Sequence, residues 1–153
     1  MEMYKEVLRG GWDWKEEREW GQVHNNLGCC YGKLGLDKLS MGAYSEALKV
    51  YLKYPEVDCS PLFANIANLY FSCKMFSVAE KYYLEAIAER KNKKPHAKQL
   101  LYHAYHKLGL AQMEQRKFTE ANDSLRKAVR LAQSGFGDGM EVLGEAAMVS
   151  ELS

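Results

Sequence analysis

The chain has 153 residues, 47% of them hydrophobic, and its 21 Lys and Arg against 20 Asp and Glu leave a net charge of +1. That length suits one domain with a real core, and the composition excludes a disordered, collagen-like or disulfide-stapled chain. The balanced charge argues against a dedicated nucleic-acid binder. With no signal-peptide core and no run of about 18 uncharged apolar residues, no membrane partner is expected either.

In chain order, Tyr4-Lys5-Glu6-Val7-Leu8 has the form of a return helix. Asp13, with Glu16 three residues on, marks the start of the next helix. Along it Val23, Leu27, Cys30, Tyr31 and Leu34 fall at helical spacing and make an apolar face. Gly35 ends it. Leu36, Leu39, Ala43, Ala47, Leu48 and Val50 mark a return helix that Pro55 helps to end. Further pairs are expected at 61–73 with 75–90 and at 95–115 with 118–133, Pro61 and Pro95 standing in first turns. Gly135-Phe136-Gly137-Asp138-Gly139 reads as a turn, since no strand precedes it and the Lys-Ser/Thr of a phosphate loop is missing. Leu143-Gly144-Glu145-Ala146-Ala147 opens a last helix. No period-2 strand is evident.

Two motifs repeat in step. Asn26-Leu27-Gly28-Cys29-Cys30-Tyr31 aligns with Asn65-Ile66-Ala67-Asn68-Leu69-Tyr70 and with Lys107-Leu108-Gly109-Leu110-Ala111-Gln112. Tyr44-Ser45-Glu46-Ala47-Leu48 aligns with Tyr83-Leu84-Glu85-Ala86-Ile87 and Leu125-Arg126-Lys127-Ala128-Val129. Both recur after 39 and then 42 residues. Two motifs stepping together are the mark of a repeat architecture. Gly28, Ala67, Gly109 and Gly144 let paired helices approach, as do Ala47, Ala86 and Ala128, while Tyr31, Tyr70, Tyr44 and Tyr83 fill space as core. One repeat domain over 1–153 is expected: 1–11 the end of a preceding helix, 12–55, 60–92 and 95–134 three repeats, and 138–152 the first helix of a following repeat or a capping helix. The chain thus reads as a window cut from a longer array, with a complete protein bearing degenerate end helices as the rival reading.

The pattern resembles the tetratricopeptide repeat family. Its Leu-Gly…Tyr matches Leu27-Gly28…Tyr31, its small residue and aromatic…Ala match Ala79, Tyr83 and Ala86, and Phe76 and Phe118 stand where the family places an early aromatic. The repeats exceed the family's roughly 34 residues, and Asp37 and Gln112 replace aromatics. Long repeats of this kind are similar to those of kinesin light chains and the LGN/Pins scaffolds. The resemblance implies an all-α helix–turn–helix solenoid, a right-handed superhelix of about eight helices. It implies a non-catalytic, cytoplasmic scaffold or adaptor for protein–protein interaction. No nucleophile–base pair, carboxylate pair or cofactor motif points to an enzyme.

By motif position, the concave groove would present Asn25, Asn26 and Cys29, then Asn65 and Asn68, then His103, His106 and Lys107. In the long-repeat groups such asparagines hold an extended peptide by its backbone, since an amide both donates and accepts. Here Asn26 and Asn65 are equivalent, and Lys107 breaks the ladder. Chaperone-binding members clamp a terminal carboxylate; Asn65 and Lys107 fit that pattern, but Asn25, Cys29 and His103 do not. The His103, His106, Lys107 patch would favour an acidic segment, more so at mildly acid pH, where histidine gains charge. His103 and His106 share a helical face, but no third ligand follows, so no metal is expected. Cys29, Cys30, Cys59 and Cys73 form no C-x-x-C pair and read as reduced intracellular thiols. The run Arg90-Lys91-Asn92-Lys93-Lys94 reads as a solvated helix end favoured by the helix dipole. Trp12, Trp14 and Trp20 are expected to cover the edge toward a neighbouring pair. Left bare, that edge would drive self-association, the structural alternative to groove binding.

Overall fold

A computed structural model describes residues 14–135. Six helices run in chain order: α1 (Trp14–Lys33), α2 (Asp37–Tyr51), α3 (Ser60–Ser72), α4 (Phe76–Lys93), α5 (Lys98–Glu114) and α6 (Phe118–Gln133). They form three antiparallel pairs, α1/α2, α3/α4 and α5/α6, laid side by side. Among the described residues there is no strand, and the helices number six rather than about eight. The expected helices at 1–11 and 138–152 lie outside the described residues, as do Trp12 and the glycine turn beyond Gly135.

The repeat is legible in the backbone. Gly35, Lys74 and Arg116 each adopt the left-handed conformation, with φ of 77°, 62° and 63°. The next residue in each case returns its N–H to an equivalent carbonyl: Leu36 to Tyr31, Met75 to Tyr70 and Lys117 to Gln112, all at 2.9 Å. This is the C-terminal helix turn that glycine favours, made twice without glycine. Pro61 lies in the first turn of α3. Pro95 instead precedes α5, whose first residue is Lys98. It sits in a turn closed by the Ala97 N–H on the Lys94 carbonyl at 3.1 Å, and it holds Lys94 out of helical conformation, which ends α4.

Small residues set the distance within pairs. A Cβ on Gly28 would overlap the Tyr44 ring, and one on Gly109 would lie 2.7 Å from Leu125. The Ser40 hydroxyl donates to the Gly28 carbonyl at 2.6 Å. Tyr44 and Tyr83 are buried core, as the motif requires. The expected apolar face of α1 points the other way. Val23 and Leu34 are 54% and 72% exposed, while Glu17, Gly21, Asn25 and Gly28 are buried. The cause is the partner helix: Tyr51 and Tyr44 of α2 reach across onto Gly21 and Gly28, so the packing surface of α1 is small and polar.

The buried side chains form two clusters. One joins α2, the 52–59 linker and α3 through Tyr44, Val50, Val57, Cys59, Leu62 and Ile66. The other joins α3 to α6 through Tyr83, Ile87, Leu101, Tyr105 and Leu108. Tyr70 and Tyr82 touch both and stack at 5.7 Å.

Candidate functional site

Helix α3 lies at the centre of the site, and its start is fixed by charge. Asp58 accepts the Ser60 N–H at 3.0 Å and the Ser60 hydroxyl at 2.6 Å. Arg90 lies 3.3 Å from the other Asp58 oxygen and donates to the Ser60 hydroxyl at 2.9 Å. Glu89 accepts the Cys59 N–H at 3.0 Å, and Lys93 donates to the Val57 carbonyl at 2.6 Å. The basic run at the end of α4 is therefore not simply solvated. Lys91, Asn92 and Lys94 are exposed, but Arg90 and Lys93 clamp the linker that precedes α3. Burial, with the Glu89 carboxylate nearby, pushes the Cys59 thiol up to about 11.

Asn65 and Asn68 stand one turn apart on α3. Each has half of its amide occupied inside the protein. Asn65 donates to the Asn25 side-chain oxygen at 2.8 Å, which leaves its own oxygen available. Asn68 accepts the Tyr83 hydroxyl, which leaves its NH2 available. Burial raises the pKa of that hydroxyl, so it remains a donor. Asn65 thus offers an acceptor and Asn68 a donor, matching the N–H and the C=O of a peptide backbone in that order.

Two cavities open on these amides. The smaller, about 280 Å³, lies among Cys29, Ser40, Tyr44, Leu69 and Ser72. The Tyr44 hydroxyl points to the Cys29 sulfur at 3.4 Å. The larger, about 650 Å³, reaches toward α5, where Arg90, His96, Lys98 and His103 line it without any carboxylate. Asn65 and Asn68 line both.

Of the residues expected in the groove, Cys29, Asn65, Asn68 and His103 are brought together here. Asn25 is 5% exposed and acts on Asn65 instead of facing solvent. Asn26 is exposed but borders neither cavity. Lys107 lies over the Phe71 ring at 5.0 Å, and the His106 ring is half-buried, 6.1 Å from Tyr102. Sequence reasoning missed Tyr44 and Ser40, assigned to the core or not singled out, and Arg90, His96 and Lys98. The basic run was the one visible signal for Arg90. Among the described residues no three His, Cys, Asp or Glu side chains gather as a metal would require, and no helix is long and apolar enough to cross a membrane.

The tetratricopeptide repeat model matches residues 60–93 and 102–134, which are the second and third helix pairs. The resemblance carried by the two motifs holds for those pairs. The crystal structure of BtubC (BKLC) from P. vanneervenii superposes with a TM-score of 0.68 at 22% identity, over 78% of this chain and 50% of that one. It shares the fold, and the present chain spans about half of its length. No curated protein matches the chain.

Proposed function

With two of its helix pairs matching the tetratricopeptide repeat, a family of protein–protein interaction modules that are typically non-catalytic, we propose that this chain is a scaffold. Its concave surface holds an extended segment of a partner protein. The supporting observation is the half-occupied pair of amides: Asn25 and Tyr83 fix the orientation of Asn65 and Asn68, so a backbone N–H and C=O meet the right atoms without side-chain reorganisation. Cys29 and His103 border the same surface, whereas Asn26, His106 and Lys107 line neither cavity. The cytoplasm suits four free thiols. Neither nucleic acid nor membrane is proposed as partner.

The test is Asn68→Asp. It keeps an acceptor for the Tyr83 hydroxyl but removes both N–H donors and sets a carboxylate against the peptide carbonyl. Affinity for peptides selected from an extended-peptide library should fall about tenfold or more, with an unchanged melting temperature. Undiminished binding would refute the groove reading.

A second reading has its own support. Val23, Leu34 and Leu39, 54%, 72% and 53% exposed, leave apolar surface on the first pair. Self-association there would appear as a concentration-dependent mass.

A further inference from the structure

The two cavities differ in chemistry, and they meet α3 at different heights. The larger one borders Pro61, Ala64, Asn65 and Asn68; the smaller one borders Asn65, Asn68, Leu69 and Ser72. The offset is one helical turn, about 5–6 Å, close to the span of two residues of an extended peptide at about 3.3 Å each. Side chains two apart on an extended strand share a face. A single bound segment therefore places residues i and i+2 in the two cavities.

The amides give that segment a direction. In an extended chain one residue points its N–H and its C=O toward the same edge. Asn65 keeps both lone pairs of its oxygen but only one N–H, and Asn68 keeps both N–H groups but only one lone pair, so Asn65 is the better acceptor and Asn68 the better donor. The residue between them gives its N–H to Asn65 and its C=O to Asn68. The segment then runs parallel to α3, entering at the cation-lined cavity and leaving past Cys29 and Tyr44.

Resting on the groove reading above, we infer that the partner segment carries an aspartate or glutamate two positions N-terminal to an aliphatic residue. The acid sits among Arg90, His96, Lys98 and His103, in a cavity that no carboxylate lines. The adjoining cavity adds Lys94 on the far side of Arg90, and with it the carboxylate of Asp58, which Arg90 already pairs. The aliphatic side chain fills the space bounded by Cys29, Tyr44 and Leu69, which Lys33, Ser40 and Ser72 also line. Lys98 makes an exposed contact to the Ser134 hydroxyl at 3.4 Å. Charge selects the partner and its register here more than it adds raw affinity.

A random dodecapeptide display library, selected on the intact chain and counter-screened on Asn68→Asp, tests this. Expected are binders sensitive to Asn68→Asp in which Asp or Glu precedes an aliphatic residue by two positions. In the Lys98→Gln, His103→Gln double variant, the preference for such a peptide over its Asn or Gln counterpart should shrink about fivefold. Sensitive binders with the acid after the aliphatic residue, or with no acid, would overturn the inference and leave the groove standing. The absence of any binder sensitive to Asn68→Asp would overturn both.

Discussion

Between the first and second helix pairs, residues 52–59 form a linker that enters the core, burying Val57 and Cys59, and α2 meets α3 over only a short stretch. Between the second and third pairs, residues 94–97 make a tight turn and α4 packs along α5 for much of its length. Both junctions bury apolar surface, but the first does so partly with the loop side chains of Val57 and Cys59. Arg90, Lys93 and Glu89 supply that linker with the partners a helix would have provided. The looser junction is also the one whose following helix carries Asn65 and Asn68. The clamp on the linker is therefore part of what positions the candidate site.

Core truncation should separate the junctions most. Leu101, 4% exposed, lies in the α3–α6 cluster, and Leu101→Ala should cost about 3 kcal/mol in urea unfolding. Val57 is as well buried at 7% exposed, yet Val57→Ala should cost only about 1.5 kcal/mol, because fewer carbons are lost and a loop can settle into the space. Equal costs would show that the linker is packed as rigidly as a helix.

The clamp comes next. Arg90→Met removes one partner of a pair whose side chains are 12% and 8% exposed. The expected loss is about 2 kcal/mol, below the 3–5 kcal/mol of a fully enclosed pair, since Asp58 keeps the N–H and hydroxyl of Ser60. The same variant should speed alkylation of Cys59. That thiol is buried with its pKa held near 11, so in the native chain it reacts only when the linker opens. Exposed Cys30 gives the internal reference. A change in stability without a change in Cys59 rate would place the Arg90 effect elsewhere.

How much of this was legible in the sequence follows from the same contrast. Motifs made of packing residues were readable, because Gly28, Tyr44, Ala86 and Tyr83 must recur wherever helices pair at the same distance. The direction of the α1 face was not readable: Val23 and Leu34 have helical spacing whether a helix covers them or not, and only the Tyr44 and Tyr51 rings decide which side of α1 is packed. The candidate site was half readable. Asn65 and Asn68 stood out by type and position, but their orientation depends on Asn25 and Tyr83, 40 and 15 residues away. Arg90 belonged to a run whose exposed members, Lys91 and Lys94, are indistinguishable by composition from its clamping members.

The smallest expected effect tests the polar side of the tighter junction. Gln112, where the repeat usually has an aromatic, is buried and donates to Glu80 at 3.1 Å while accepting the Ser124 hydroxyl at 2.7 Å. Gln115 and Lys117 donate to the other Glu80 oxygen at 2.9 and 3.0 Å. Burial would raise the pKa of the Glu80 carboxyl, but the hydrogen bonds from Lys117, Gln115 and Gln112 outweigh it and leave it below the ordinary value. A depressed folded pKa means stabilisation that is complete above the unfolded value, about 4.3, and lost as pH falls through the folded one. Glu80→Gln should therefore lower the melting temperature by about 2–4 °C at pH 7, with the gap to the parent chain closing below that unfolded value. A gap that persists at acid pH would mean that shape, not charge, joins α4 to α5 here. The contrast between an ion-clamped first junction and an apolar second one would then be sharper than the hydrogen bonds alone suggest.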